Sequence, residues 1–223
     1  TDRETLAKVA TSVSEDLRRL AVNAVDEARV VVVSDYDKGV VTPELTSALI
    51  KAGRGAHKPI IVDPKGRDFG RYRGATIMTP NRTELAAATG MAVGSDVEIV
   101  AAARRLIAQC VLDWVLVTRG ADGMTLVDRE GVATHLPTEA REVFDVSGAG
   151  DTVVAMLAAS IGAGASVEDA ARLANTAAGI VVGKIGTAVA SAAEVVGALH
   201  TQDFLTGESK VVAPADALTR VAQ

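Results

Sequence analysis

Apolar residues at helical spacing among charges open the chain. Leu6, Val9, Val13, Leu17, Leu20 and Val25 lie within residues 3–28 and predict an amphipathic helix. The pattern then switches to the unbroken run Arg29-Val-Val-Val-Val-Ser34, the signature of a buried strand. Thr42-Pro43 predicts the start of a second helix, because a threonine hydroxyl caps orphan amides and proline is tolerated in the first turn. That helix ends near Gly53 to Gly55, before the strand Pro59-Ile-Ile-Val-Asp63. Strand, helix, strand is the unit of a parallel sheet. It continues with a short strand at Ala75 to Met78, helices at Asn81 to Ala88 and Asp96 to Gln109, and the strand Trp114-Val-Leu-Val-Thr118.

Beyond Thr118 the signals change. Gly120-Ala-Asp-Gly123 leads into Met124 to Asp128, and Glu130-Gly131 into Val132 to Leu136, which predicts an antiparallel hairpin on the sheet edge and hence a mixed sheet. From Asp151 the chain is helical and alanine-rich, with helices expected at 151–163, 167–183 and 192–199, the second capped by Ser166. Residues 200–223 lack a sustained period and read as a linker or docked tail, leaving 1–199 as one core.

Composition narrows the function classes. A chain of 223 residues with 48% hydrophobic content supports one principal α/β domain. Net charge is −5 and the 23 basic residues form no run, so neither a nucleic-acid footprint nor a membrane-surface patch is expected. Cys110 is the only cysteine, which rules out an intramolecular disulfide framework and fits a reducing compartment. With no long apolar run and no signal peptide, the expected location is the cytoplasm. His57, His135 and His200 have no metal spacing and read as surface or structural, Trp114 as core and Cys110 as a small buried hydrophobe.

The chemistry concentrates in Phe144-Asp-Val-Ser-Gly-Ala-Gly-Asp-Thr152, a glycine-containing turn entering a long helix. Such a turn exposes successive N–H groups and adds the helix dipole, so an anion is favoured there and phosphate is the natural candidate. Asp151, at the mouth of that site, is placed to accept a proton from an attacking hydroxyl. The local pattern alone fits equally a plain turn at Gly148 and Gly150 with Asp151 capping the helix.

Asp145-Val-Ser-Gly-Ala-Gly-Asp151 resembles the second signature of the ribokinase-like, or PfkB, carbohydrate kinases. Other elements resemble that family in the same order. Asn81-Arg-Thr-Glu84 is similar to its Asn-x-x-Glu element, Thr118-Arg-Gly120 with Gly123 to its nucleotide-phosphate loop, and Asn175 to a position bordering the adenine. The resemblance implies a three-layer α/β/α sandwich with a mainly parallel sheet and an antiparallel edge hairpin. It implies Asp151 as catalytic base, and Gly148, Ala149 and Gly150 as the anion hole. It further implies Asn81, Glu84, Thr118, Arg119, Gly120, Gly123, Ser147 and Asn175 as ATP-binding residues, with Asn81 and Glu84 handling Mg²⁺ through water and a monovalent cation such as K⁺ near Asp145.

Four further segments, Ser34-Asp-Tyr-Asp-Lys-Gly39, Val62-Asp-Pro-Lys-Gly66, Tyr72-Arg-Gly-Ala-Thr76 and Ala140-Arg-Glu-Val-Phe-Asp-Val146, are similar to the branch of the family that phosphorylates D-glycero-β-D-manno-heptose 7-phosphate at O1. That branch serves bacterial surface glycans. Lys210 to Leu218 resembles the junction to a nucleotidyltransferase domain in bifunctional members. The family has Thr where Ser147 stands. Its sugar-covering β-lid has no counterpart before Thr1, and Asp2-Arg-Glu-Thr5 resembles a segment from after the lid, so a chain lacking its N-terminal part is expected, with sugar closure impaired. By the same resemblance Asp35 and Lys38 face sugar or phosphate, while Tyr36 and Asp37 read equally as turn residues. Asp63 and Lys65 are candidate substrate residues or a salt-bridged pair. Gly179-Ile-Val-Val-Gly-Lys184 has the wrong spacing for a Walker A loop and is set aside. The expected ligands are ATP and a sugar phosphate, with a homodimer open for the intact protein. Another sugar or nucleoside kinase of the family, or a non-catalytic nucleotide-binding fragment, remain alternatives.

Overall fold

The computed structural model describes residues 9–138 and 145–206, with 202–206 by backbone alone. The expected motifs at Asp2 to Thr5, Ala140 to Phe144 and Lys210 to Leu218 lie outside the described residues. Six strands form one sheet in sequence order: β1 (Val31–Ser34), β2 (Ile60–Asp63), β3 (Ile77–Met78), β4 (Trp114–Thr118), β5 (Met124–Asp128) and β6 (Ala133–Leu136). The first four are parallel, and β5 and β6 add antiparallel to β4, as the turn signals predicted. The helices are α1 (Thr11–Ala24), α2 (Pro43–Gly55), α3 (Arg82–Thr89), α4 (Asp96–Cys110), α5 (Ala149–Gly162), α6 (Val167–Val182) and α7 (Ala192–Thr206).

Strand side chains alternate between two apolar layers. Ile60, Val62, Met78, Val115 and Val117 face the layer holding Leu45 and Leu49 of α2 and Ile99 and Leu106 of α4. Ile61, Ile77, Leu116 and Leu126 face Val153 and Leu157 of α5 and Ala170, Ala171 and Ala174 of α6. Each buried Ile or Leu stabilises the fold by about 1.5–3 kcal/mol. The alanines of α6 leave room for the close approach of α5. The result is the three-layer α/β/α sandwich, in which a step from strand to strand always moves the same way across the sheet.

Local chemistry sets most boundaries. Thr42 Oγ accepts from Leu45 N–H at 3.2 Å and Ser166 Oγ from Asp169 N–H at 3.1 Å, so α2 and α6 begin where their caps predicted. Gly123, between β4 and β5, has φ 79° and ψ −130°, and a Cβ there would lie 2.1 Å from the Leu136 carbonyl oxygen. Only glycine admits the hairpin's closing turn.

Three departures from the sequence reading have physical causes. In α1 it is Leu17 and Ala21, followed by Val25, that pack on the core, while Val13 and Leu20 are exposed, because the helix meets the body along one narrow seam. The 3₁₀ turn Phe69–Tyr72, started by Asp68 accepting from Gly70 N–H, was not expected, since its core anchors Phe69 and Tyr72 show no helical period. Finally, α7 runs through Thr206, so helix occupies the start of the segment read as linker or tail.

Candidate active site

The parallel strands end along one edge of the sheet, where α5 also begins. Open α/β sheets collect ligands at this edge. Here a solvent-open cleft of ≈ 220 Å³ is lined by Tyr36 beyond β1, Asp63 at the end of β2, Lys65 just past it, and Thr79, Asn81 and Glu84 beyond β3. Thr118 of β4 and Gly148, Gly150, Asp151 and Val153 complete it.

Asp151 stands in the first turn of α5 but does not cap it. The N-cap is Gly148, in the left-handed conformation at φ 79°, and no side chain caps this end. The Asp151 carboxylate is exposed and accepts the Tyr36 hydroxyl at 2.9 Å. Ala149 is not among the lining residues, and its N–H points to the Val146 carbonyl at 3.2 Å. Ser147, also outside the lining, donates its N–H to Asp145 Oδ1 at 2.8 Å, which holds the Asp145 carboxyl below its usual pKa.

On the opposite wall Glu84 joins two interactions. One oxygen accepts Lys65 Nζ at 2.5 Å and the other the Asn81 N–H at 2.9 Å, while Asn81 Oδ1 accepts the Glu84 N–H at 2.9 Å. Asn81 and Glu84 therefore form the capping box of α3 as well as lining the cleft. Lys65 pairs with Glu84 rather than with Asp63. Burial pulls the Lys65 pKa down, but the bond to Glu84 and the charges of Glu84 and Asp63 more than offset it, so Lys65 stays cationic. Asp63 is pushed up to about 6, first by burial and then by Glu84 and Asp151, against the opposing pull of Lys65 and Thr79.

Several expected site residues lie elsewhere. Asp35 is 1% exposed and does not line the cleft. Its Oδ2 accepts Arg71 Nη2 and Tyr72 Oη, each at 2.6 Å, and its Oδ1 accepts Asp37 N–H at 2.8 Å. Strand alternation sends Asp35 inward and its neighbour Tyr36 outward. Lys38 is exposed and outside the lining. Arg119 is tied to Asp96 at 2.6 Å and to Thr125 at 2.8 Å, and Gly120 and Gly123 shape the turn behind Thr118. Asn175 is 5% exposed and donates to the Pro137 carbonyl at 2.8 Å. Tyr36 and Thr79 are cleft residues that the motif reading left unassigned. The signal for both was their position just past a strand end.

Two further readings concern residues outside the cleft. Lys184 follows α6 and pairs with Glu194 at 2.6 Å, consistent with setting the Walker-like string aside. Cys110 is 2% exposed, and burial raises its thiol pKa. Among the described residues no helix is long and apolar enough to cross a membrane, and no group of three or more His, Cys, Asp or Glu is arranged to hold a metal ion.

Residues 4–194 match the pfkB family carbohydrate kinases. Bifunctional protein HldE of Paramagnetospirillum magneticum is 54% identical over 211 residues, covering 95% of this chain and 43% of that protein. Its counterpart in Rhodospirillum rubrum is 57% identical over 186 residues, or 83% and 38% of the two chains. This chain thus spans about two fifths of the length of these relatives. Among solved structures, Arabidopsis thaliana ribokinase complexed with ribose and ATP superposes with TM-score 0.72 at 26% identity, covering 80% of this chain and 58% of that one. Escherichia coli phosphofructokinase-2 in complex with potassium shares the fold, with TM-score 0.76 at 21% identity, covering 87% and 63%.

Proposed function

Because the chain belongs to the pfkB family of carbohydrate kinases, we propose that it transfers the γ-phosphoryl group of ATP to O1 of D-glycero-β-D-manno-heptose 7-phosphate. The product is the 1,7-bisphosphate, a precursor of activated heptose for surface glycans. The observation that carries the reading is the exposed Asp151 carboxylate at the uncapped start of α5, facing a wall that holds a cationic Lys65. The similarity to the HldE proteins over most of this chain favours the heptose phosphate among sugar acceptors.

In this reading Asp151 takes the proton of the anomeric hydroxyl as its oxygen attacks phosphorus. Phosphoryl transfer is accelerated mostly by positioning and charge neutralisation. The N–H groups at Gly148 and Gly150 face the transferring group, with Ala149 completing the turn that presents them. Thr118, backed by Arg119, Gly120 and Gly123, borders the nucleotide phosphates, with Ser147 beside the turn and Asn175 on the adenine side. Asp63 and Lys65 contact the sugar phosphate.

Both Glu84 oxygens already accept hydrogen bonds, so the residues fit an ion held through water and phosphate oxygens rather than one caged by side chains. Mg²⁺ there would neutralise phosphate charge, with Asn81 and Glu84 orienting its water. Asp145, kept anionic, is the carboxylate assigned to a monovalent cation such as K⁺. Residues 1–199 are taken as the kinase core and 200–223 as the tail. Asp151→Asn is expected to lower turnover with the heptose phosphate at least about a hundredfold, while ATP binding by calorimetry stays within a few-fold. Turnover near the wild-type level would refute the assignment of the base.

A further inference from the structure

Tyr36 has a contact that the transfer step does not require. Its ring is 55% exposed, beyond the end of β1, and it is followed by Asp37 in the left-handed conformation at φ 55°. Its hydroxyl reaches Asp151 Oδ1 at 2.9 Å across the mouth of the cleft. The hydrogen bond to Asp151 is also the main reason its pKa lies above the ordinary phenol value, so the group remains a donor at neutral pH. Donation of an O–H to this carboxylate is the interaction that an acceptor alcohol must make before it loses its proton to a general base. Phenol and acceptor therefore compete for the same group, and an exposed side chain has room to be displaced.

We propose that Tyr36 is a positioning residue that engages Asp151 until an acceptor hydroxyl replaces it, and so keeps the base from activating water. The proposal rests on the reading of Asp151 as that base. The reaction it would suppress is ATP hydrolysis. In that reaction a water oxygen forms a bond to the γ-phosphorus, and the bond to the β,γ-bridging oxygen breaks. The electron pair leaves with ADP, and the water proton passes to Asp151. A phenol donating to Oδ1 occupies one of the two carboxylate oxygens and leaves water only the other, whereas a bound sugar hydroxyl supplies the intended nucleophile at the same place.

Tyr36→Phe tests this directly, since an exposed ring that loses only its oxygen leaves the core untouched. ATP hydrolysis without sugar is expected to rise about three- to tenfold, the worth of one competing hydrogen bond. The KM for the sugar phosphate is expected to fall by a similar factor, because acceptor binding no longer has to break the contact. The added hydrolysis should vanish in Tyr36→Phe combined with Asp151→Asn. Unchanged hydrolysis, or a raised KM for the sugar phosphate, would overturn the proposal.

A spectroscopic arm separates this failure from failure of the base assignment. The chain has two tyrosines, so selective ¹³Cζ labelling yields two NMR signals. In Asp151→Asn the titration of the Tyr36 signal should move down in pH while that of the buried Tyr72 stays in place. No movement would overturn the contact itself, whatever the kinetics. Retained phosphorylation in Asp151→Asn, with the movement present, would overturn the base and with it the role given to Tyr36, while the contact stands.

Discussion

Asp35→Ala separates two roles that a strand-end carboxylate can serve. A sugar contact predicts normal stability and weak substrate binding; a buried brace predicts the reverse. In the structure Asp35 is 1% exposed and carries Arg71, Tyr72 and the Asp37 amide on its two oxygens. Burial and the bond to Asp35 both raise the Tyr72 pKa, so that phenol remains a donor. Alanine would leave the Arg71 guanidinium, whose side chain is 15% exposed, with the Lys65 carbonyl at 3.0 Å and a distant carboxylate at 3.7 Å on Asp37. It would leave Tyr72 only the weak contact to the Lys65 carbonyl at 3.4 Å. Removing one member of a buried ion pair costs about 3–5 kcal/mol. The remaining partners and the partial exposure of Arg71 place the loss near about 3 kcal/mol. Asp35→Asn, which keeps the shape and one acceptor, should lose about half as much. Urea denaturation at pH 7 reads both values, with an unchanged m-value as the check that only stability moved. An alanine variant that loses under about 1 kcal/mol and raises the KM for the sugar would refute the brace.

Two more outcomes concern the cleft and the hairpin. Asp63 has a pKa of about 6 in the folded protein against 3.8 unfolded, so folding favours its protonated form. That contribution is full below about pH 4 and is lost as pH rises through about 6. The shift corresponds to an upper bound of about 3 kcal/mol, so Asp63→Asn, discounted for partial solvent screening, should stabilise the protein by about 1–2 kcal/mol at pH 8 and by nothing at pH 3.5; equal effects at both pH values would disprove the shift. Gly123→Ala must place a Cβ against the Leu136 and Pro137 backbone at positive φ, at a cost of about 3 kcal/mol or more. A melting temperature within a few degrees of wild type would show that the turn relaxes freely.

The inner strands β2, β3 and β4 were legible because their runs are buried and bounded by polar residues, and α2 and α6 because Thr42 and Ser166 are local caps. The phosphate-turn motif was legible as a motif. What escaped were relations between residues distant in sequence. The sequence leaves Lys65 as a substrate contact or as the partner of its neighbour Asp63, yet the fold brings it to Glu84, nineteen residues on. Arg119 was read as a nucleotide contact, but Asp96 and Thr125 hold it from elements whose proximity no spacing reveals. Asp35 is buried and Tyr36 lines the cleft, because successive residues at a strand end point to opposite faces. Asn81 and Glu84 carried a readable second meaning, since an Asn followed three positions later by Glu is also a helix-start signal.

The bare beginning of α5 has a thermodynamic consequence. Gly148 provides the turn but no oxygen for the first amides, where α2, α3, α4 and α6 each supply one. An end left this way forgoes about 1 kcal/mol of capping, which a bound anion can restore. Ligand occupancy and helix order at this edge are then linked quantities, each raising the other. Because α5 belongs to one outer layer while Lys65 and Asn81 extend from the sheet and its opposite flank, a phosphate seated between them would act as a non-covalent rivet through all three layers.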